Sequence, residues 1–151
     1  MKKQFSPFVR LIALILVFSL TAPLYVSAAS EEYVQPRASY YLDSYNTYIC
    51  AMGSGKLQIW YTVVGVTDMD EIGVLSIVLY ESSDKTNWTH VKTYSHQNYS
   101  TMLIEDDWAH SSYVSYNGTA GKYYKANVCI WAGKNGSGDT RYMWTPVERA
   151  T

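Results

Sequence analysis

The residues best suited to chemistry in this 151-residue chain are aromatic side chains near its C-terminal end. From Gly121 to Gly133 the residues alternate with a period of two, which predicts a β-strand. Its predicted core face is small or aliphatic apart from one tyrosine and consists of Tyr124, Ala126, Val128, Ile130 and Ala132. The opposite face is polar and aromatic, and the next predicted strand continues it. The candidate ligand-binding residues are therefore Tyr123, Lys125, Asn127, Trp131, Tyr142 and Trp144.

Aromatic rings at these positions could bind sugars by stacking on their apolar faces while their polar groups stay hydrated. Lys125 and Asn127 would supply the few directed hydrogen bonds that such a site needs. The chain contains 15 tyrosines and 5 tryptophans, more than a core of this size requires. Three interpretations remain open: a glycan platform, a surface that contacts another protein, and side chains that only pack within the fold.

Acidic side chains form two clusters, and each suggests a different chemistry. Asp68, Asp70 and Glu71 offer the oxygen ligands that calcium prefers, although the glycine and distal glutamate of the helix–loop–helix calcium motif are missing. Together with residues 105–107, they could also supply the paired carboxylates of a small hydrolase. Both clusters lie in polar segments, and neither zinc spacing nor a nucleophile motif accompanies them. We therefore expect no enzyme activity and no cofactor other than a weak calcium site.

The two cysteines, Cys50 and Cys129, allow either a disulfide or two free thiols. Export would permit a disulfide, and an even number of cysteines is consistent with one. The alternation, however, places Cys129 opposite the predicted core face, whereas the bridge of antibody domains points inward. Both outcomes remain open on these grounds.

Short β-strands separated by turns are predicted along the rest of the chain. The strand candidates are residues 38–52, 56–66, 72–80, 88–94, 101–104, 111–116, 121–133 and 140–144. Acidic residues 67–71 and polar residues 105–110 are predicted to be loops. No helical period competes with this pattern. The sequence therefore predicts an all-β fold, an antiparallel immunoglobulin-like β-sandwich of about seven to eight strands.

The N-terminal segment has the features of an export signal. Residues 1–29 contain a basic start, a short apolar run and small residues at the end, which predicts a cleaved signal peptide. A flexible arm at 30–37, the sandwich at 38–147 and a tail at 148–151 follow. Cleavage removes three of the twelve basic residues and none of the thirteen acidic ones, leaving a net charge of −4. We expect a secreted protein without membrane insertion after cleavage, and the charge disfavours nucleic acid as a partner.

Several segments together resemble a family of short secreted proteins of Gram-positive bacteria classed as a domain of unknown function. The resemblance rests on residues 37–42, 69–75, 81–88, 91–96 and 121–133. Gly121-Lys-Tyr-Tyr-Lys-Ala-Asn-Val128 also resembles the immunoglobulin-type strand that carries the tyrosine corner. The segment Tyr80–Trp88 is similar to a strand–turn–tryptophan element of fibronectin-type and discoidin-type sandwiches, in which the tryptophan packs against the turn.

The family resemblance implies an exported β-sandwich without assigned activity, and it brings no catalytic residues. From the residues themselves we expect a non-catalytic binding module that recognises an extracellular glycan or a protein surface. The alternatives are a secreted protein-interaction or toxin-like factor and, third, a small hydrolase.

Overall fold

The structure is a computed structural model that describes residues 39–151 of the chain. The predicted signal peptide (1–29), the predicted arm (30–37) and residue 38 lie outside the described residues. The strands are β1 (Leu42–Gly53), β2 (Lys56–Ser82), β3 (Thr89–Ser95), β4 (Leu103–Asn117), β5 (Tyr123–Lys134), β6 (Ser137–Trp144) and β7 (Glu148–Arg149). A single 3-10 turn, Ser100–Met102, precedes β4. Among the described residues, no helix is long and apolar enough to cross a membrane.

All strand pairs are antiparallel, and the 27-residue strand β2 organises them. Its first half pairs with β1 on one side and β4 on the other, and we call these strands the first layer. Its second half pairs with β3 and β5, and β6 extends the sheet from β5; these strands form the second layer. The predicted all-β, antiparallel, sandwich-like fold is confirmed, and its seven strands agree with the seven to eight that were expected. The two layers nevertheless belong to one hydrogen-bonded sheet, because β2 and β4 run through both of them.

The structure differs from the sequence prediction at two segments that were expected to be loops. Residues 67–71 lie within β2, and residues 105–110 lie within β4. The two strands stay paired across a large bulge, since the register shifts between Val64 and Met69. Gly65 permits the bend, because a Cβ at this position would lie 2.9 Å from both the Met69 side chain and the Thr67 carbonyl oxygen. The residues of these bulged segments are of the same polar types that occur in loops. The sequence alone therefore did not distinguish a bulged strand from a loop.

The core lies between the two layers and follows the predicted alternation. Alternate residues of the first half of β2, from Leu57 to Val63, are buried, as are the corresponding residues of its second half. The five residues of the predicted core face of β5 are all fully buried. These two strands therefore have one face toward the core and one face toward the outside.

Tyr124 forms the hydrogen bonds of a tyrosine corner. Its buried hydroxyl accepts a hydrogen bond from the Thr119 backbone N–H at 2.8 Å, five residues upstream, and donates one to Glu81. Lys122 also contacts the Glu81 carboxylate. Burial raises the pKa of Glu81, but the hydrogen bonds from Lys122 and Tyr124 outweigh it, and the net result is a pKa below the usual value. The start of β5 is thereby joined to the end of β2.

The C-terminal residues 148–151 form part of the fold, in contrast to the predicted tail. Glu148–Arg149 is the short strand β7, which pairs with the first two residues of β5. Ala150 is buried. The Thr151 carbonyl accepts a hydrogen bond from the Gly55 backbone N–H at 2.8 Å and so contacts the β1–β2 turn.

Candidate functional site

The outer surface of the last hairpin carries most of the predicted ligand-binding residues. Asn127 pairs with Trp144, and Cys129 pairs with Tyr142, so these side chains share one face of the second layer. Tyr142 is 72% exposed and Trp144 is 50% exposed. We call this surface the hairpin face and define it by Tyr80, Lys85, Trp88, Tyr123, Lys125, Asn127, Tyr142, Trp144 and Arg149.

Lys125 connects the aromatic rings of the hairpin face. Its Nζ lies 4.3 Å from the ring centroid of Trp88 and 4.8 Å from that of Trp144. Tyr80, directly opposite Lys125 on β2, approaches Trp144 with a centroid distance of 5.6 Å. A cation above an aromatic ring is attracted by the electrons of the ring face. The lysine and the three rings therefore form one cluster, held in place before any ligand binds.

Further cations surround Tyr123 at the end of the hairpin face. Lys85 Nζ lies 4.5 Å from the Tyr123 ring centroid, and Arg149 Cζ lies 5.8 Å from it. Trp88 belongs to the same end, since its Nε1–H donates a hydrogen bond to the Lys85 carbonyl at 3.0 Å. This contact is the packing against the turn that the similarity to other sandwiches implied. The hairpin face thus combines aromatic rings with three positively charged side chains.

Trp131 does not belong to this cluster, although it lies on the outer side of the same strand. Its indole extends over Gly133 and Gly138, which are paired with each other across β5 and β6. A Cβ at either glycine would lie 2.7 Å or less from the indole ring. The indole Nε1–H donates a hydrogen bond to Glu71 at 3.2 Å. The structure therefore places Trp131 beside the acidic residues rather than on the predicted platform.

The two acidic clusters, which are far apart in the sequence, meet beside Trp131. Glu71 of β2 pairs with Glu105 of β4. They line a groove of about 500 Å³, the acidic groove, whose walls are Asp70, Glu71, Glu105, Asp106, Trp131, Gly133, Lys134, Gly136 and Ser137.

The contacts of the first acidic cluster give no support to a calcium site there. Asp70 accepts a hydrogen bond from the Asn135 backbone N–H at 2.6 Å and so stabilises the β5–β6 turn. Asp68 contributes its backbone carbonyl, which accepts a 2.7 Å hydrogen bond from Lys134. Glu71 accepts the hydrogen bond from Trp131. Within residues 39–151, no three acidic, histidine or cysteine side chains form a group that could hold a metal ion.

Both cysteines are free, so the disulfide alternative is wrong. Cys50 lies on the outer side of β1 in the first layer. The positions that face the core on this strand include Thr47 and Ile49, which are both buried. Cys129 lies on the outer side of the second layer, with the core between the two thiols. Cys129 is the cross-strand partner of Tyr142, and a hydrogen bond donated by the phenol O–H to the Cys129 sulfur raises the pKa of Tyr142.

Sequence reasoning missed part of the hairpin face and an entire second aromatic surface. Tyr80 and Arg149 join the hairpin face through strand pairing with Lys125 and Tyr123, and Lys85 reaches it from the turn before Trp88. On the opposite side of the molecule, Tyr48 and Tyr113 flank Trp60 across three strands. The alternation of β1, β2 and β4 could have assigned these rings to outer faces, but the register that aligns them is not a property of any single strand.

The comparisons with known proteins are sparse. No protein-family model matches the sequence. No curated protein matches it. Among solved structures, the chain is similar to Spo0M, the sporulation control protein of Bacillus subtilis, with a TM-score of 0.40 and 10% sequence identity. The similarity covers 68% of this chain and 47% of that protein, so this chain spans just under half of its length.

Proposed function

We propose that this protein is an exported, non-catalytic binding module that recognises extracellular glycans carrying negative charge. The observation that supports it is the cluster on the hairpin face, in which Lys125 lies between Trp88 and Trp144. Trp144 and Tyr142 leave large parts of their rings open to solvent. For the fold itself, the tyrosine corner supports a relationship to immunoglobulin-like sandwiches.

The chemistry of the hairpin face matches that of an acidic sugar. An exposed ring can stack on the C–H face of a sugar, and Asn127, paired with Trp144, offers an amide for its hydroxyl groups. Lys125, Lys85 and Arg149 supply positive charge for a carboxylate or phosphate group.

A protein surface is the second candidate ligand for the hairpin face. Its support is the exposure of Tyr142 and Trp144 on a flat sheet surface, because aromatic residues are enriched where proteins contact each other. In that case we expect binding to an envelope protein and no binding to isolated glycans.

The test is a glycan array probed with the purified protein and two tryptophan variants. We expect a coherent set of acidic glycans to bind the wild type, and Trp144→Ala to weaken that binding about tenfold or more, which corresponds to about 1.4 kcal/mol. Trp108→Ala is the matched control, because Trp108 is also exposed but lies on β4 at the bend. An array without hits, or equal binding by both variants, would contradict the glycan proposal.

A further inference from the structure

The outer surface of the first layer carries three aromatic rings in a line across the strands. Tyr48 of β1 pairs with Trp60 of β2, and Trp60 pairs with Tyr113 of β4. We call these three residues the aromatic row. The ring centroids of Tyr48 and Trp60 are 6.3 Å apart with nearly parallel planes, and those of Trp60 and Tyr113 are 4.5 Å apart. Tyr48 is 39% exposed and Tyr113 is 42% exposed, so the row is open to solvent.

The rings of the aromatic row are held in position by the protein. Each ring contacts its neighbour, and the Trp60 Nε1–H donates a hydrogen bond to the Gln58 side-chain oxygen at 3.1 Å. Adjacent strands are about 4.8 Å apart, so three consecutive strands give the row a length of about 10 Å. A ligand that bound along the row would therefore meet a strip that is already ordered, which lowers the entropic cost of binding.

Among residues 39–151, the positions that flank the aromatic row along its three strands carry no charge. The outward neighbours of each ring are the residues two positions before and after it on the same strand. These six positions hold hydroxyl or amide side chains and one thiol, and they are Asn46, Cys50, Gln58, Thr62, Ser111 and Ser115. Thr62 and Ser111 also share a hydrogen bond between their hydroxyl groups at 3.0 Å, across β2 and β4.

Aromatic rings flanked by hydroxyl and amide side chains favour an uncharged ligand. An acidic or basic partner would find no opposite charge beside the row, and nucleic acid requires clustered cations. An uncharged polysaccharide presents apolar C–H faces that stack on aromatic rings and hydroxyl groups that bond to amides and hydroxyls. We propose that the aromatic row is a second binding site, which takes an uncharged polysaccharide chain running across the strands. The proposal does not depend on the function assigned to the hairpin face.

The test is native affinity electrophoresis of the purified protein in gels containing uncharged polysaccharides. The panel is a soluble β-glucan, a mannan, a xylan and soluble starch, and pull-down on cellulose and chitin covers insoluble polymers. We expect at least one polymer to retard the wild type, and Trp60→Ala to lose that affinity about tenfold or more. Tyr113→Ala removes a ring at the end of the row and decides the test if Trp60→Ala does not fold, as monitored by thermal unfolding.

Matched controls separate the aromatic row from the hairpin face. Trp144→Ala should keep the polysaccharide affinity, and binding should be the same at low and high salt because no charged group takes part. The proposal is overturned if no polymer binds, if Trp144→Ala loses as much affinity as Trp60→Ala, or if salt abolishes binding. It is also overturned if sedimentation shows a dimer that Trp60→Ala dissociates, since the row would then be covered by a second copy.

Discussion

The hairpin face and the aromatic row use the same types of residue on opposite sides of one fold but differ in what contacts the rings. On the hairpin face, Lys125 Nζ lies between two indole rings. In the aromatic row, Trp60 packs against two tyrosine rings and bonds to the Gln58 amide, and the positions that flank it on its strand are uncharged. An abundance of tyrosine and tryptophan therefore does not define one kind of site. The groups between and beside the rings decide whether the surface suits a charged or a neutral ligand.

A substitution in the core that the two layers share should produce the largest loss of stability. It should also weaken ligand binding at both faces. Ile59 is fully buried next to Trp60, and Ile59→Ala is expected to lower the free energy of unfolding by about 2–5 kcal/mol. Urea unfolding followed by tryptophan fluorescence measures this loss. Val66→Ala, at a position that is 52% exposed, is the control and should change stability by less than about 0.5 kcal/mol. If Ile59→Ala removed binding at one face without loss of stability, the two faces would not share this support.

Lowering the pH should reduce the stability of the protein through Glu81. This residue lies near the end of β2, where its carboxylate contacts Tyr124 and Lys122. The pKa of Glu81 is lowered in the folded state from an ordinary value of 4.5. Its contribution to stability is therefore complete at pH 7 and is lost as the pH falls below 4.5 and through the lower folded-state pKa.

Glu81→Gln tests this contribution directly. We expect the variant to be about 1–2 kcal/mol less stable than the wild type at pH 7, because Lys122 is partly exposed and its ion pair is screened. The difference should be smaller at pH 3 than at pH 7, because the stabilising contribution of the wild-type carboxylate is progressively lost as the pH falls below 4.5. Urea unfolding of both proteins at the two pH values gives the result, and a difference that does not change with pH would contradict the assignment.

The smallest change in stability is expected from Lys125→Met, which removes the charge and keeps most of the length of the side chain. Loss of the cation from between Trp88 and Trp144 should cost about 0.5–1 kcal/mol of stability. Binding of acidic glycans should weaken, and retention by uncharged polysaccharide should stay unchanged. Lys56→Met, near the end of the first layer, is the control for loss of a lysine. Equal loss of both ligands in Lys125→Met would remove the distinction between the two faces.

Much of the fold could be predicted from local patterns in the sequence. The period-two alternation of residues 123–132 identified the buried and outer faces of β5, because neighbouring side chains on a strand point to opposite sides. Asn135-Gly136 was part of a predicted turn, and both residues have positive φ angles where β5 turns into β6. The same alternation placed Cys129 away from the core, as the structure shows.

The continuity of β2 and β4 could not be predicted in this way. Residues 67–71 are acidic and polar like a loop, yet pairing with β4 keeps them in an extended strand. Only this pairing brings Glu71 opposite Glu105 and turns two separate acidic segments into one groove. Likewise, Trp131 was assigned to the correct face of its strand. The paired residues Gly133 and Gly138 have no side chains, however, and so leave room for the indole to lie over them beside the groove.

The sequence by itself determined which residues are strand-forming, which face of each strand is apolar and where the tight turns fall, since these are local properties of a few neighbouring residues. The tertiary structure decided which strands are neighbours and in what register. That register places Lys125 beside Trp144, and it lines up Tyr48, Trp60 and Tyr113. The physical reason is that a binding surface on a sheet is built across strands, by residues that are distant in the chain.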